Sequence, residues 1–226
     1  MPSADVIRKP LSEASATFEE LYLKQDYKGA VQYLLENKKQ FDSGIFHYNL
    51  GTMYSKMGDQ AAARLHLEQA IQNGYINSAS LNNLTFVKSQ LQVDDLSNSI
   101  SLPDQIVSTV TAIPASGYFS LTLLLLVIFT LLIRFKKIQT KWMMALVLIL
   151  SLSPMVVSYF YVKDVNFAVA LSDIAIYEGP SKIFHEKGKI RAGSKMVVGD
   201  IKDGWFYVEF PISLSGWVNK DQLVVY

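Results

Sequence analysis

The sequence predicts a multidomain membrane protein with an all-α helical-repeat block, a two-helix transmembrane hairpin and a C-terminal all-β small barrel. Three observations predict it. The chain of 226 residues is 50% hydrophobic and only 18% charged, more apolar than a soluble domain of this size needs. Most of that excess sits in two uncharged runs of about twenty residues, the length a helix needs to cross a bilayer. The flanking texture then changes from helical periodicity before the runs to short alternating stretches after them. Composition also excludes several classes. A net charge of +1 leaves no basic footprint for nucleic acid. The absence of cysteine excludes disulfides, thiolate metal sites and a cysteine nucleophile. With 12 Gly and 7 Pro, the chain is neither collagenous nor a disordered low-complexity polymer.

Residues 44–77 read GIFHYNLGTMYSKMGDQAAARLHLEQAIQNGYIN. Small residues (Gly51, Ala63, Ala70) let two antiparallel helices approach, and larger ones (Leu50, Tyr54, Leu67) fill the space between them. This pattern resembles a tetratricopeptide repeat, with His47 where a large apolar residue is usual and Tyr75 where Pro is common. A weaker copy spans residues 18–37. There Gln25-Asp26-Tyr27 answers to Gly58-Asp59-Gln60, Ala30 to Ala63 and Leu34 to Leu67. Residues 78–91 read as one more amphipathic helix, with Leu81, Leu84, Phe86, Val87 and Leu91 apolar, capping a short solenoid. The block is set at residues 11–91. The resemblance implies a concave partner-binding face made by Tyr48, Asn49, Thr52, Asn82, Asn83 and Phe86. Packing is the plainer role for each of them. None is Lys or Arg, so a basic clamp for a terminal carboxylate is not expected.

Residues 92–115 read as a linker rich in Ser, Thr and Asp, broken by Pro103 and Pro114. Its stretch 106–113 is β-branched and suits the membrane or the repeats. The transmembrane helices are placed at 116–135 and 142–162. Tyr118, Trp142, Tyr159 and Tyr161 stand at their ends, where amphipathic rings favour the interface. Pro154 interrupts the second helix, and the carbonyl it frees falls to Ser151, Ser153 or the partner helix. No ionisable residue lies between Gly117 and Ile133 or between Trp142 and Val162, so transport has no residue to carry it.

The connecting loop, 136–141, is flanked and filled by Arg134, Lys136, Lys137 and Lys141. Between Lys88 and Arg134 there is no Lys or Arg, but Asp94, Asp95 and Asp104. The positive-inside rule puts the loop in the cytoplasm and both soluble parts across the membrane. The stretch MPSADVIRKPLSEASATF shows no apolar core of a signal peptide. Either a signal precedes the recorded start or has been trimmed, which is the expectation, or the N-terminal block is cytoplasmic against the charge rule.

Residues 166–226 alternate in short runs: 168–171, 174–177, a Gly179-Pro180-Ser181 turn, then Ile190, Gly193, Met196 and Val197. Residues 205–210, Gly216-Trp217-Val218-Asn219 and residues 223–226 complete the set. This order resembles a bacterial SH3-like domain. The resemblance implies an aromatic surface for peptides or cell-wall fragments, with Tyr177, Trp205, Tyr207 and Trp217 as candidates and Trp217 the one most expected in the core.

His47, His66 and His185 lack the i, i+4 spacing of a metal pair, and structural or solvated roles are expected for them. No phosphate-binding loop and no Gly-x-Ser-x-Gly elbow occurs. The expectation is therefore no enzyme, no cofactor and no metal. The order of modules, with HYNLGTMYSKMGD and LNNLTFVKSQL, resembles BatE-like members of the bacterial aerotolerance (Bat) family. That resemblance implies an inner-membrane protein with periplasmic domains. Its implied partners are von Willebrand A-domain membrane proteins and a MoxR-type AAA+ ATPase, in stress tolerance or periplasmic protein assembly. A membrane-anchored scaffold is the expected role. The rival is a peptidoglycan-associated protein or hydrolase regulator that relies on the β-domain.

Overall fold

Short polar side chains start the helices by taking up orphan N–H groups. Asp26 accepts from Gly29 N at 2.9 Å, Asp42 from Gly44 N at 2.9 Å, Asp59 from Ala62 N at 3.0 Å and Asn77 from Ser80 N at 2.9 Å. These caps open α2 (Tyr27–Glu36), α3 (Ser43–Lys56), α4 (Gln60–Gln72) and α5 (Ser78–Leu91), which follow α1 (Glu13–Leu23). The structure, a computed structural model, describes residues 13–226. The first two residues of the block set at 11–91, and most of the stretch read for a signal peptide, lie outside the described residues. The α1–α2 and α3–α4 turns share one geometry. Gln25 and Gly58 take φ values of 59° and 85°, and the next residue's N–H reaches back five positions, to Leu21 O and Tyr54 O, at 3.0 Å in both.

Packing repeats along with the turns. Ala30 and Leu34 in α2 and their counterparts Ala63 and Leu67 in α4 are all fully buried. A Cβ on Gly51 would lie 2.7 Å from Leu67 Cγ, so α3 and α4 sit closer than any side chain there would permit. One core gathers Ala30, Leu34, Phe46, Leu50 and Met53, and the next gathers Tyr48, Ala63, Leu67, Ala70 and Val87. In α5 the apolar face is narrower than the sequence suggests. Val87 is fully buried, while Leu81 and Phe86 are exposed because no further helix covers that side among the described residues.

The C-terminal part is a seven-stranded sheet of β1 (Asn166–Ala170), β2 (Ile174–Tyr177), β3 (Glu186–Ile190), β4 (Lys195–Lys202), β5 (Trp205–Phe210), β6 (Gly216–Asn219) and β7 (Leu223–Val225). Its order is β3-β2-β6-β5-β4-β1-β7, with antiparallel pairing of β1 to β7, β2 to β3 and β6, and β5 to β4 and β6. Residues from all seven strands, from Ala168 through Ile176, Ile190, Met196, Val208 and Val218 to Leu223, form one core. The sheet therefore curls around its own buried face, helped by register shifts between β4 and β5. Gly216, at φ 153°, allows the approach of β2: a Cβ there would lie 2.9 Å from Tyr177 O.

The chain divides into two compact units. One joins the helices up to Leu96 with Phe167–Tyr226, and the other is Ser97–Asn166. The second unit holds α6 (Leu102–Thr111), α7 (Ala115–Arg134) and α8 (Lys141–Tyr161). The expected linker thus contains a helix, and Pro103 sits in its first turn, where a missing N–H costs nothing. α7 and α8, of 20 and 21 residues, are long and apolar enough to cross a membrane. Tyr118, Thr122, Ser151 and Pro154 are buried on them, while most of their leucines and isoleucines are exposed. Ser153 Oγ donates at 2.8 Å to Leu150 O, the carbonyl that Pro154 deprives of its usual partner. Tyr118, in the first turn of α7, is buried within the protein, and its hydroxyl donates to Val110 O at 2.8 Å.

Candidate functional site

The helices and the sheet of the first unit meet through charge. Arg64, in α4, is 1% exposed, and its Nη1 pairs with Asp95 Oδ2 and donates to Gly193 O at 2.8 Å. Glu68, one turn on, lies 3.8 Å from Arg64 Nε and accepts from Lys195 Nζ at 2.7 Å. Lys195 also donates its backbone N–H to Asp95 Oδ2 at 2.9 Å and lies over the Phe167 ring at 4.4 Å. Two cations face two carboxylates, so the four paired charges balance, with Lys88 close enough to feel each of them. Val93 and Leu96 are buried beside it, and Leu96 N donates to Lys195 O at 3.2 Å. Val93, Asp95 and Leu96, in the stretch read from sequence as linker, are thus packed. Burial, then the Arg64 charge, lowers the Lys88 pKa; burial raises that of Tyr226 well above the ordinary tyrosine value.

Three of the four predicted aromatic residues form a row across adjacent strands. Tyr177 on β2 stands opposite Trp217 on β6, which stands opposite Tyr207 on β5. Side chains alternate along a strand, so Ile176, Val218 and Val208 face the core while this row faces away from it. Tyr207 and Trp217 meet at 5.3 Å, edge to face, and Tyr207 is 38% exposed. Trp205 shares that face and meets Tyr177 edge-on at 5.5 Å, but is only 8% exposed. The expected core tryptophan is therefore reversed. Trp217 is half-buried in the outward row because Gly216 and Val218 take the inward positions.

On the helical block, Asn83 of α5 reaches α3. Its Nδ2 donates to Thr52 Oγ1 at 3.3 Å and to Tyr48 OH at 3.4 Å, and Tyr48 packs on Tyr75 with ring centroids 5.0 Å apart. Asn82 and Phe86 lie exposed on the same helix, whereas Asn49 is buried. The structure thus joins Tyr48, Thr52 and Asn83 through hydrogen bonds beside an open Phe86, but Tyr48, like Asn49, is buried, which removes both from the open face. Comparison with protein-family models, with curated proteins and with solved structures finds no match to this chain.

One constellation was not anticipated. His47 and His66 place their Nδ1 atoms 3.1 Å apart, with ring centroids at 5.3 Å and planes 24° apart, so the two nitrogens point at one another. His66 Nδ1 also lies 3.1 Å from Gln69 Oε1. Of the two facing Nδ1 atoms, one carries the proton and the other accepts, the roles following the tautomer. Tyr54 stacks on His66 at 5.4 Å. Burial, then the neighbouring His47, lowers the His66 pKa to about 4, and burial, then Lys38, lowers that of His47. The signal in the sequence was His47 itself, standing where the repeat pattern wants an apolar ring. Among the described residues, no group of three or more His, Cys, Asp or Glu side chains is gathered as for a metal.

Two predictions follow from these contacts. Arg64→Met leaves Asp95 buried without its guanidinium and is expected to cost about 3–5 kcal/mol of stability. Adding Asp95→Asn should recover part of that loss, a non-additivity read by thermal unfolding of the full chain in detergent. The histidine pair gives an acid limb. The unfolded histidines bind protons at the ordinary value of 6.5, before the folded ones do. Their contribution is complete above that pH and declines as pH falls toward about 4. His66→Gln should flatten stability across that window relative to the parent chain, as measured by Tm against pH.

Proposed function

We propose that this chain is a non-enzymatic scaffold anchored in the bacterial inner membrane. Tetratricopeptide-like hairpins hold one protein partner through the face of Thr52, Asn83 and Phe86, under which Tyr48 is packed. An SH3-like domain holds a second through the row Tyr177, Trp217 and Tyr207. The observation that carries this reading is the pair of unlike surfaces presented by one unit, which the Arg64 network holds together. The shared turn geometry of α1–α2 and α3–α4 supports the repeat assignment. Seven short strands around one core support the small barrel.

α7 and α8 cross the membrane as a hairpin, with the basic residues Arg134, Lys136, Lys137 and Lys141 held in the cytoplasm. The Arg64 network joins a segment before α7 to one after α8, an arrangement that needs an even number of crossings. Both soluble parts then share the periplasmic side. In an aerotolerance-type assembly the partners are von Willebrand A-domain membrane proteins and a MoxR-type AAA+ ATPase, serving stress tolerance or assembly of periplasmic proteins. The module order and the segments HYNLGTMYSKMGD and LNNLTFVKSQL support this choice. A second reading, attachment to peptidoglycan, draws on the exposed ring of Tyr207 and the half-buried Trp217 beside it, since aromatic faces also suit sugar rings.

Crosslinking and pull-down of the full chain from membranes separates the two. The double substitutions Tyr207→Ala/Trp217→Ala and Asn83→Ala/Phe86→Ala should each deplete a distinct protein partner by about tenfold or more, the effect of losing a central aromatic anchor. Unchanged partners in both variants would defeat the scaffold reading. Binding to isolated peptidoglycan that is lost in the first variant would establish the wall reading instead.

A further inference from the structure

The polarity of the Ser97–Asn166 unit is inverted relative to a protein in water, where helices turn apolar stripes inward. Its buried positions in α7 and α8 include Tyr118, Thr122 and Ser151, and its exposed positions are mostly apolar, leucine, isoleucine and valine foremost. The same inversion extends to α6, which lies outside the two long helices. On its inward side Asp104 is fully buried and accepts from Ser99 Oγ at 2.6 Å, and Thr111 Oγ1 donates to Val107 O at 2.6 Å. On its outward side Leu102 is 73% exposed, Ile106 62% and Ile113, just past its end, 44%. With Thr109 these positions follow i, i+4, i+7, i+11, a stripe that is apolar apart from the Thr109 hydroxyl. Ile100, before the helix, is also fully open to the surroundings at 93%.

Continuity with α7 says what covers this stripe. Only Ala112, Ile113 and Pro114 separate the two helices, and Tyr118 OH ties the first turn of α7 to Val110 O of α6. A helix of ten residues is about 15 Å long and cannot cross a hydrocarbon core of about 30 Å. It can lie in the plane of the surface.

We propose that α6 is a membrane-surface helix whose face of Leu102, Ile106 and Ile113 beds in the headgroup–acyl boundary where α7 enters the bilayer. The partner is the lipid surface itself. Apolar area drives the contact, because no Lys or Arg lies between Lys88 and Arg134 to attract anionic headgroups. Binding is therefore indifferent to lipid charge and to salt, unlike that of a basic amphipathic helix. The proposal rests on the reading that α7 and α8 cross a membrane.

The chain has no cysteine, so single labels report cleanly. Full-length protein carrying Ile106→Cys, Ile113→Cys or Leu124→Cys is labelled with an environment-sensitive fluorophore and reconstituted in phosphatidylcholine vesicles, with and without phosphatidylglycerol. Quenchers are supplied either on lipid chains or as aqueous iodide. Labels at 106 and 113 are expected to be quenched several-fold more by the lipid-borne quencher, at a depth of about 5–10 Å below the headgroups, equally in both lipid mixtures. Leu124→Cys, in the middle of α7, reports on the crossing itself. If 124 is lipid-quenched while 106 and 113 respond to iodide, or to neither quencher because protein covers them, the surface-helix proposal is overturned alone. If 124 is not lipid-quenched, the membrane reading fails and takes the proposal with it.

Discussion

The contact between Arg64 and Asp95 sits where three distant parts of the sequence converge: α4, the segment after α5 and the turn before β4. A guanidinium held at 1% exposure needs a carboxylate and carbonyl partners in fixed places, or its burial costs several kcal/mol. Asp95 supplies the charge and Gly193 the carbonyl, while Lys195 and Glu68 form a second ion pair beside them. Apolar contacts between the helices and the sheet would tolerate sliding. A directional cluster with matched charges does not, so the two surfaces described above keep a fixed relation within one unit.

That constraint reaches the membrane. Two helices of bilayer length interrupt the chain between the partners of this cluster. Under the proposed reading the hairpin is an excursion from a unit that closes before and after it, and the basic loop orients that excursion. The bond from Ser153 to Leu150 O shows how the hairpin meets its own backbone needs at Pro154.

Much of this was legible in the sequence because it repeats or alternates. The helix over 78–91, the boundaries near 115–134 and 141–161, and the strands at 174–177, 205–210 and 216–219 all follow from periodicity and turn residues. The aromatic row was legible in part: strict alternation around Gly216 and Val218 already places Trp217 outward, against the expectation that a tryptophan there fills the core. What stayed hidden is long-range. Arg64 and Glu68 are spaced as an ordinary surface pair on a helix, and nothing local marks Asp95 or Lys195 as their partners. His47 and His66 likewise lie on different helices, nineteen positions apart, and only packing of α3 on α4 turns them toward one another.

The central claim is that the helices before the hairpin and the sheet after it form one unit on one side of a membrane. Labelling of single cysteines with a membrane-impermeant reagent, in sealed vesicles of known orientation, tests it directly. Ser89→Cys on α5 and Lys189→Cys on β3, both at exposed positions, should react from the same side, and Gln139→Cys in the loop from the other. Reaction of Ser89→Cys and Lys189→Cys from opposite sides would contradict the account, because the Arg64 cluster could not then form.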